Sequence, residues 1–95
     1  MAKLTEEIIR DRLEIHCEWN YSGDFLFKEY ICKDFSRAIA FIVEIGIESE
    51  KMDHHPDILL HSWNRVKVTL STHSEGGVTE KDFELLTKIE KIKND

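Results

Sequence analysis

The sequence has little of several features that would each point to a particular class of protein. Its 95 residues include one proline, four glycines and two cysteines, and the longest apolar run is the segment AIAFIV. That run is too short to cross a bilayer, and two cysteines do not make a disulfide-rich scaffold. The formal charge of −6 argues against a protein that binds the phosphate backbone of nucleic acids.

The remaining composition is that of one small globular domain, which we assign to residues 1–95. Apolar residues make up 41% of the chain, an ordinary value for a folded protein. The first segment, MAKLTEEIIRD, has no apolar stretch like that of a signal peptide, so we expect a cytoplasmic protein. In that compartment Cys17 and Cys32 are expected to be free thiols, with a disulfide between them as the alternative.

The first half of the chain predicts a helix, a hairpin and a second helix. The segment LTEEIIRDRL has a plausible N-cap in Thr5. The segments LEIHCEWNY and FLFKEYIC are rich in aromatic and β-branched residues, and they predict a hairpin centred near Gly23 whose paired positions sum to about 46. A strongly periodic helix follows, capped by Asp34 and ending near Asp53 because Pro56 is close.

The second half predicts another hairpin and a last helix. The segments DILLHSW and RVKVTLST are predicted as strands joined at Asn64, and HSEGGV as a turn. One face of the second strand carries alternating apolar residues, namely Val66, Val68 and Leu70. In the final segment, TEKDFELLTKIEKI, Thr79 and Asp82 are spaced as a capping box. The order α-β-β-α-β-β-α predicts an α+β domain with helices on one face of the sheet.

Four of the five histidines lie in one stretch, DHHPDILLHSWNRVKVTLSTH. The predicted hairpin pairs positions whose numbers sum to about 128, which places His73 opposite His55 and next to His54. By the same register His61 lies roughly 20 Å along the strand and outside this group. We therefore expect three imidazoles to meet at one site.

Such a group can have three kinds of role. With Glu50 and Asp53 nearby the imidazoles could hold zinc, although the chain lacks the His-x-x-x-His or CxxC spacing of many zinc sites. They could instead be structural side chains. The third role is general acid–base catalysis. His54 follows a helix C-terminus, whose dipole favours the imidazolium, and the two carboxylates act in the same direction.

The spacing of these residues resembles the signature of the pterin-4a-carbinolamine dehydratase family. The signature runs from an acidic residue through His-His-Pro, an aromatic residue and a histidine to an aspartate, and every element and gap is present. The matching residues are Glu50, His54, His55, Pro56, Trp63, His73 and Asp82. The resemblance covers residues 50–82 closely, and the flanking helical segments also look like those of the family.

The resemblance implies a four-stranded antiparallel sheet in the predicted element order. It implies dehydration of 4a-hydroxytetrahydrobiopterin to quinonoid dihydrobiopterin, without metal or cofactor, in tetrahydrobiopterin recycling. His54 and His73 would be the acid–base pair, and His55 would join them in catalysis by positioning the substrate. The implied substrate-binding residues are Asp53, His54, His55, Ser71, Thr72 and His73.

Three signature residues have two interpretations each. Asp82 can support the site, but it also completes the capping box with Thr79. Trp63 can stack on a pterin or pack beside the hairpin turn, and the distance from His55 favours packing. Glu50 can orient His54 or lie on the solvated end of the helix.

Some members of the family act as partners that stabilise a dimeric transcription factor. A non-catalytic dimerisation or interaction module is therefore the alternative function. In either case we expect a pterin-binding fold with no direct nucleic acid contact and no membrane contact. We also expect a homodimer or homotetramer, because the central helix is apolar on more than one face. Its apolar residues are Phe35, Ala38, Ile39, Ala40, Phe41, Ile42, Val43, Ile45 and Ile47.

Overall fold

The structure, a computed structural model, describes residues 2–94 and has its elements in the predicted order. The helices are α1 (Glu6–Leu13), α2 (Phe35–Met52) and α3 (Glu80–Asn94), and the strands are β1 (Asn20–Ser22), β2 (Phe25–Ile31), β3 (Asp57–His61) and β4 (Arg65–Leu70). Neighbouring strands are antiparallel in the order β1-β2-β4-β3. The predicted α+β class and four-stranded antiparallel sheet are confirmed.

Side-chain caps in the sequence set the helix boundaries. Thr5 Oγ1 accepts a hydrogen bond from the backbone N–H of Ile8 at 3.3 Å, and Asp34 Oδ1 accepts one from Arg37 at 2.8 Å. Each cap satisfies a backbone donor that has no partner inside its helix. The end of α2 was also predicted correctly, since Asp53 leaves the helix in the left-handed conformation with φ 53°.

The hydrophobic core lies between one face of the sheet and helices α2 and α3. Alternate residues of β2 and β4 point into it, namely Leu26, Tyr30, Val66, Val68 and Leu70. The helices contribute Ala38, Phe41, Ile45, Leu85, Leu86 and Ile89. Burial of one large aliphatic side chain stabilises a fold by roughly 1.5–3 kcal/mol, so this layer holds the helices on the sheet.

Among residues 2–94 there is no helix of the length and apolarity needed to cross a membrane.

The first hairpin is shorter than predicted and is shifted by one position. Strand β1 begins at Asn20, because the chain turns between the end of α1 and the edge of the sheet and buries Trp19 in that turn. The hairpin closes through two residues, Gly23 and Asp24, and Ser22 pairs with Phe25. Gly23 has φ 62°, a conformation that glycine adopts without steric cost.

The register of the second hairpin also differs from the prediction, by two positions. His61 pairs with Arg65, and a three-residue turn that includes Ser62 and Trp63 connects the strands. Both turn residues have positive φ, 51° and 59°. A shift of two keeps every side chain on its predicted face. However, β4 ends at Leu70, so the prediction that His73 lies opposite His55 in the ladder is wrong.

One charged residue, Lys28 of β2, points toward the core and is satisfied there by ion pairs. Its Nζ lies 2.9 Å from Glu18 Oε1 and 2.9 Å from Glu90 Oε2, and the hydroxyl of Tyr30 also donates to Glu90. Burial opposes the charge of Lys28, but the hydrogen bonds to both carboxylates outweigh it and raise the pKa of Lys28. Burial likewise opposes the charge of Glu90, yet the bonds from Lys28 and Tyr30 lower the pKa of Glu90.

Replacing Lys28 with methionine should destabilise the fold. The change keeps most of the aliphatic stem but leaves the partly buried Glu90 without its cation, which costs about 2 kcal/mol. Urea unfolding at pH 7 measures the loss, with Lys33→Met at an exposed position as the matched control. A Lys28→Met protein as stable as the control would contradict this account.

The same pair of proteins gives a pH dependence. Because the pKa of Glu90 is lowered from its ordinary value of 4.5, its contribution to stability is present above pH 4.5 and is lost as the pH falls through the lowered pKa. The stability difference between wild type and Lys28→Met should therefore shrink below pH 4.5.

Candidate functional site

The end of α2 directs two adjacent histidines to different environments. The backbone N–H of Asp53 bonds to Glu50 O at 3.1 Å, and that of His54 bonds to Ser49 O at 3.0 Å. This pair of bonds, with Asp53 in the left-handed conformation, is the Schellman motif that ends many helices. As a result His54 is buried and His55 is exposed.

The buried imidazole of His54 contacts the carboxylate of Asp82. His54 Nε2 lies 2.6 Å from Asp82 Oδ1, although the two residues are 28 positions apart. The other oxygen, Oδ2, accepts the hydroxyl of Thr72 at 2.8 Å and the backbone N–H of Thr79 at 2.9 Å. Asp82 is 0% exposed, and a buried carboxylate needs such a set of donors.

These contacts decide which nitrogen of His54 carries a proton. An ionised carboxylate only accepts hydrogen bonds, so Nε2 of His54 must be the donor to Asp82. In the neutral ring Nδ1 then carries the free lone pair and can take up a proton. In the charged ring Nδ1 holds the proton that can be given away. The bond to Asp82 thus leaves Nδ1 as the nitrogen of His54 that can gain or lose a proton.

The expected site support residues divide between the two histidines. Asp82, for which the sequence left two roles open, fulfils both: it bonds the N–H of Thr79 as a helix cap and it holds His54. Glu50, one of the two expected partners of His54, contacts the other histidine instead, since its Oε1 lies 2.8 Å from Nε2 of His55. Both members of that pair are exposed, so it stabilises the fold by less than about 1 kcal/mol.

His73 lies in a short, closed loop instead of in a strand. The backbones of Thr72 and Gly77 bond to each other, with Thr72 N to Gly77 O at 2.8 Å. The loop between them begins with one 3₁₀ turn, His73–Glu75, and Gly76 follows in the left-handed conformation. His73 is exposed. Its neighbour Thr72 contacts Asp82, which brings the backbone of His73 to the same part of the molecule as His54.

The other expected substrate-binding residues have internal partners or other positions. Ser71 Oγ donates to the carbonyl of Asp24 at 2.8 Å, which ties the end of β4 to the first hairpin turn. Asp53 is exposed at the end of α2. Thr72 is buried against Asp82. Thr79 is the residue of this site whose full role the sequence did not reveal, and the capping-box spacing was its only signal.

Two residues of the histidine-rich stretch lie away from the site. His61 is at the opposite end of β3, where its Nε2 contacts Glu29 Oε1 at 2.5 Å. Its predicted separation from the other histidines agrees with this position. Trp63 is 62% exposed in the hairpin turn, so the expectation that it packs beside the turn is wrong for a single chain.

The residues described here do not include a ready metal site. Within residues 2–94 no group of three histidine, cysteine, aspartate or glutamate side chains is arranged to hold a metal ion. The two adjacent imidazoles each bond a different carboxylate, one buried and one exposed. The arrangement is suited to moving protons at His54, with His55 and His73 accessible to a bound molecule.

Comparisons with known proteins agree with one another. A family model described as "Pterin 4 alpha carbinolamine dehydratase" matches residues 2–92. A protein of Sulfolobus acidocaldarius is 48% identical, covering 95% of this chain and 98% of the relative, and one of Sulfurisphaera tokodaii is 37% identical, covering 97% and 98%. Both are named "Putative pterin-4-alpha-carbinolamine dehydratase". A crystal structure of a "transcriptional coactivator/pterin dehydratase" from Brucella melitensis has a TM-score of 0.89 at 37% identity, covering 95% and 97% of the two chains.

Replacing Asp82 with alanine should cost about 3 kcal/mol of folding stability. The change removes a helix cap and leaves buried donors without an acceptor, and each of these effects is worth about 1 kcal/mol or more. Glu84→Ala, at an exposed position of the same helix, is the control and should change stability by less than about 0.5 kcal/mol. Denaturant unfolding gives the free energy of unfolding of both variants. Equal values would refute the stabilising role of Asp82.

Proposed function

Because the chain belongs to the pterin 4 alpha carbinolamine dehydratase family, whose members are hydro-lyases, we propose that it dehydrates 4a-hydroxytetrahydrobiopterin to quinonoid dihydrobiopterin by histidine acid–base catalysis. The observation that carries this proposal is the buried bond between His54 Nε2 and Asp82 Oδ1 at 2.6 Å. It prepares one imidazole nitrogen for proton transfer in a region that also contains His73.

The proposed reaction requires one acid and one base. The acid protonates the hydroxyl on carbon C4a, and the carbon–oxygen bond breaks as water leaves. The lone pair of the ring nitrogen N5 forms the double bond to C4a, and a base takes up the proton that the ring then loses. Imidazoles suit both steps, because they change charge near neutral pH.

The proposed roles of the three histidines follow from their surroundings. His54 has a fixed tautomer and is buried, so it serves as one of the two proton-transfer groups through Nδ1. His73 is exposed on its closed loop and serves as the other. His55, exposed and paired with Glu50, positions the pterin. We assign Asp53 and Ser71 to binding of the pterin beside these groups.

We place this activity in tetrahydrobiopterin recycling in the cytoplasm, and we propose that it needs no metal or cofactor. The test is dehydration of 4a-hydroxytetrahydrobiopterin followed by its absorbance, using protein that has been treated with a chelator. Faster dehydration than in buffer supports the proposal. No acceleration would leave the interaction module as the function of the fold, and activity restored only by zinc would refute catalysis by side chains alone.

Histidine substitutions should separate the proposed roles. His54→Ala and His73→Ala should each lower kcat by about 10²-fold, the usual contribution of a general acid or base. His55→Ala should mainly raise KM. His61→Ala is the matched control and should retain kcat and KM, since it lies at the far end of β3. A folded but inactive His61→Ala protein would show that this assignment is wrong.

We also propose that the chain forms a homodimer or homotetramer. Four apolar side chains of α2 lie one turn apart on one face and are between 43% and 55% exposed, namely Phe35, Ile39, Val43 and Ile47. The core of the single chain is filled by other residues of the same helix. Two strands, β1 and β3, also leave open sheet edges. An open sheet edge can pair with another chain, and a contiguous exposed apolar patch marks an interaction site.

A charged residue in the apolar stripe should weaken this association. Light scattering after size exclusion at micromolar concentration should give the wild type a mass that is a multiple of 11.2 kDa. Val43→Glu should lower that mass, because a buried charge in an apolar contact is costly. Arg37→Glu, on a different face of α2, should leave it unchanged. A wild type of 11.2 kDa would contradict the proposal.

A further inference from the structure

Two buried hydroxyl groups, which reach His54 only through Asp82, have no part in the chemistry described above. Thr72 Oγ1 lies 2.7 Å from Thr79 Oγ1, and the same atom of Thr72 lies 2.8 Å from Asp82 Oδ2. Thr79 is 0% and Thr72 is 8% exposed. Threonine hydroxyls in such surroundings need both a donor and an acceptor partner.

These hydrogen bonds can run in one direction only. The carboxylate of Asp82 can only accept, so the single hydroxyl proton of Thr72 points to it. Thr72 therefore has no proton left for Thr79, and the hydroxyl of Thr79 must donate to Thr72. Thr79 Oγ1 in turn accepts from the backbone N–H of Lys81 at 3.3 Å. The chain of donation thus runs in one direction, from Thr79 through Thr72 to Asp82.

Thr72 has no polar group left over for a substrate. Its backbone N–H bonds to Gly77 O, its carbonyl accepts from Gly77 and Glu75, and its hydroxyl is used by Asp82 and Thr79. This argues against the direct pterin contact that was expected of Thr72. The same residue closes the loop that carries His73, so it is joined to both histidines of the proposed acid–base pair.

We propose that Thr72 and Thr79 are a positioning pair for the dehydration reaction. Their hydroxyls hold Asp82 in one orientation, Asp82 holds the Nε2 proton of His54, and Thr72 fixes the start of the His73 loop. The inference rests on the proposed function for its effect on catalysis. The position of the His54 proton depends on the geometry alone and can be measured without any substrate.

The kinetic test uses variants that keep the shape but remove the hydroxyl. Thr72→Val should lower kcat about tenfold with KM within about twofold of wild type, the size expected for one lost hydrogen bond in the positioning of a catalytic group. Thr72→Ser keeps the hydroxyl and should restore kcat to within about twofold. A Thr72→Val protein with raised KM and unchanged kcat would show a substrate contact and overturn the proposal.

The second measurement is nuclear magnetic resonance of the histidine rings, with the signal of His54 assigned by its absence in His54→Gln. The wild type should show an Nε2 proton that exchanges slowly with water. Thr72→Val should speed that exchange about tenfold, and Thr72→Ser should not. If Thr72→Val does not fold, Thr79→Val and Thr79→Ser provide the same comparison one bond further away.

The two measurements separate failure of this inference from failure of the proposed function. A wild type that does not dehydrate the pterin but shows the slow Nε2 proton, lost in Thr72→Val, refutes the function and keeps the positioning of His54. An active wild type whose kcat and proton exchange are unchanged in the valine variants keeps the function and refutes the positioning pair.

Discussion

The buried carboxylate of Asp82 is the interaction on which the candidate site depends. It accepts hydrogen bonds from three separate parts of the chain: the imidazole after α2, the hydroxyl of Thr72 after β4, and the backbone at the start of α3. A charge without partners in that position would cost several kcal/mol, and these three donors offset that cost. The carboxylate of Asp82 therefore both caps α3 and orients the imidazole for which acid–base catalysis is proposed.

Helix α3 is fixed to the rest of the domain by charged groups near both of its ends. Asp82, in its first turn, receives the bonds of the candidate site, and Glu90, two turns later, receives Lys28 and Tyr30 from β2. Apolar residues between these anchors, such as Leu86, fill the core. The Lys28 anchor therefore stabilises the fold alone, whereas the Asp82 anchor also holds the imidazole of His54, the proposed acid–base group.

Local signals in the sequence predicted the helix caps and the inward faces of the strands, because those depend on neighbours a few residues away. Thr5, Asp34 and the pair of Thr79 and Asp82 cap their helices as expected. The family signature brought His54 and Asp82 into one hypothesis, though not into contact.

The remaining features depend on contacts that no short spacing shows. Ser62 and Trp63 adopt left-handed conformations, which ordinarily favour glycine or asparagine, so neither residue indicated a three-residue hairpin turn. The three-residue turn moved the register by two. Likewise the hydrogen bond from Thr79 to Thr72 needs a loop that folds back onto the start of α3.

Because His54 and Asp82 are 28 positions apart in the chain, their contact forms only when α3 packs beside the end of α2. Proteins open locally in cooperative units at lower free energies than global unfolding requires. If α3 detaches, His54 loses its carboxylate partner and its fixed tautomer at once. This happens although His54 precedes the second hairpin in the sequence and α3 follows it. Under the proposed function, molecules in which α3 is detached would be inactive toward the hydroxypterin even while the sheet stays folded.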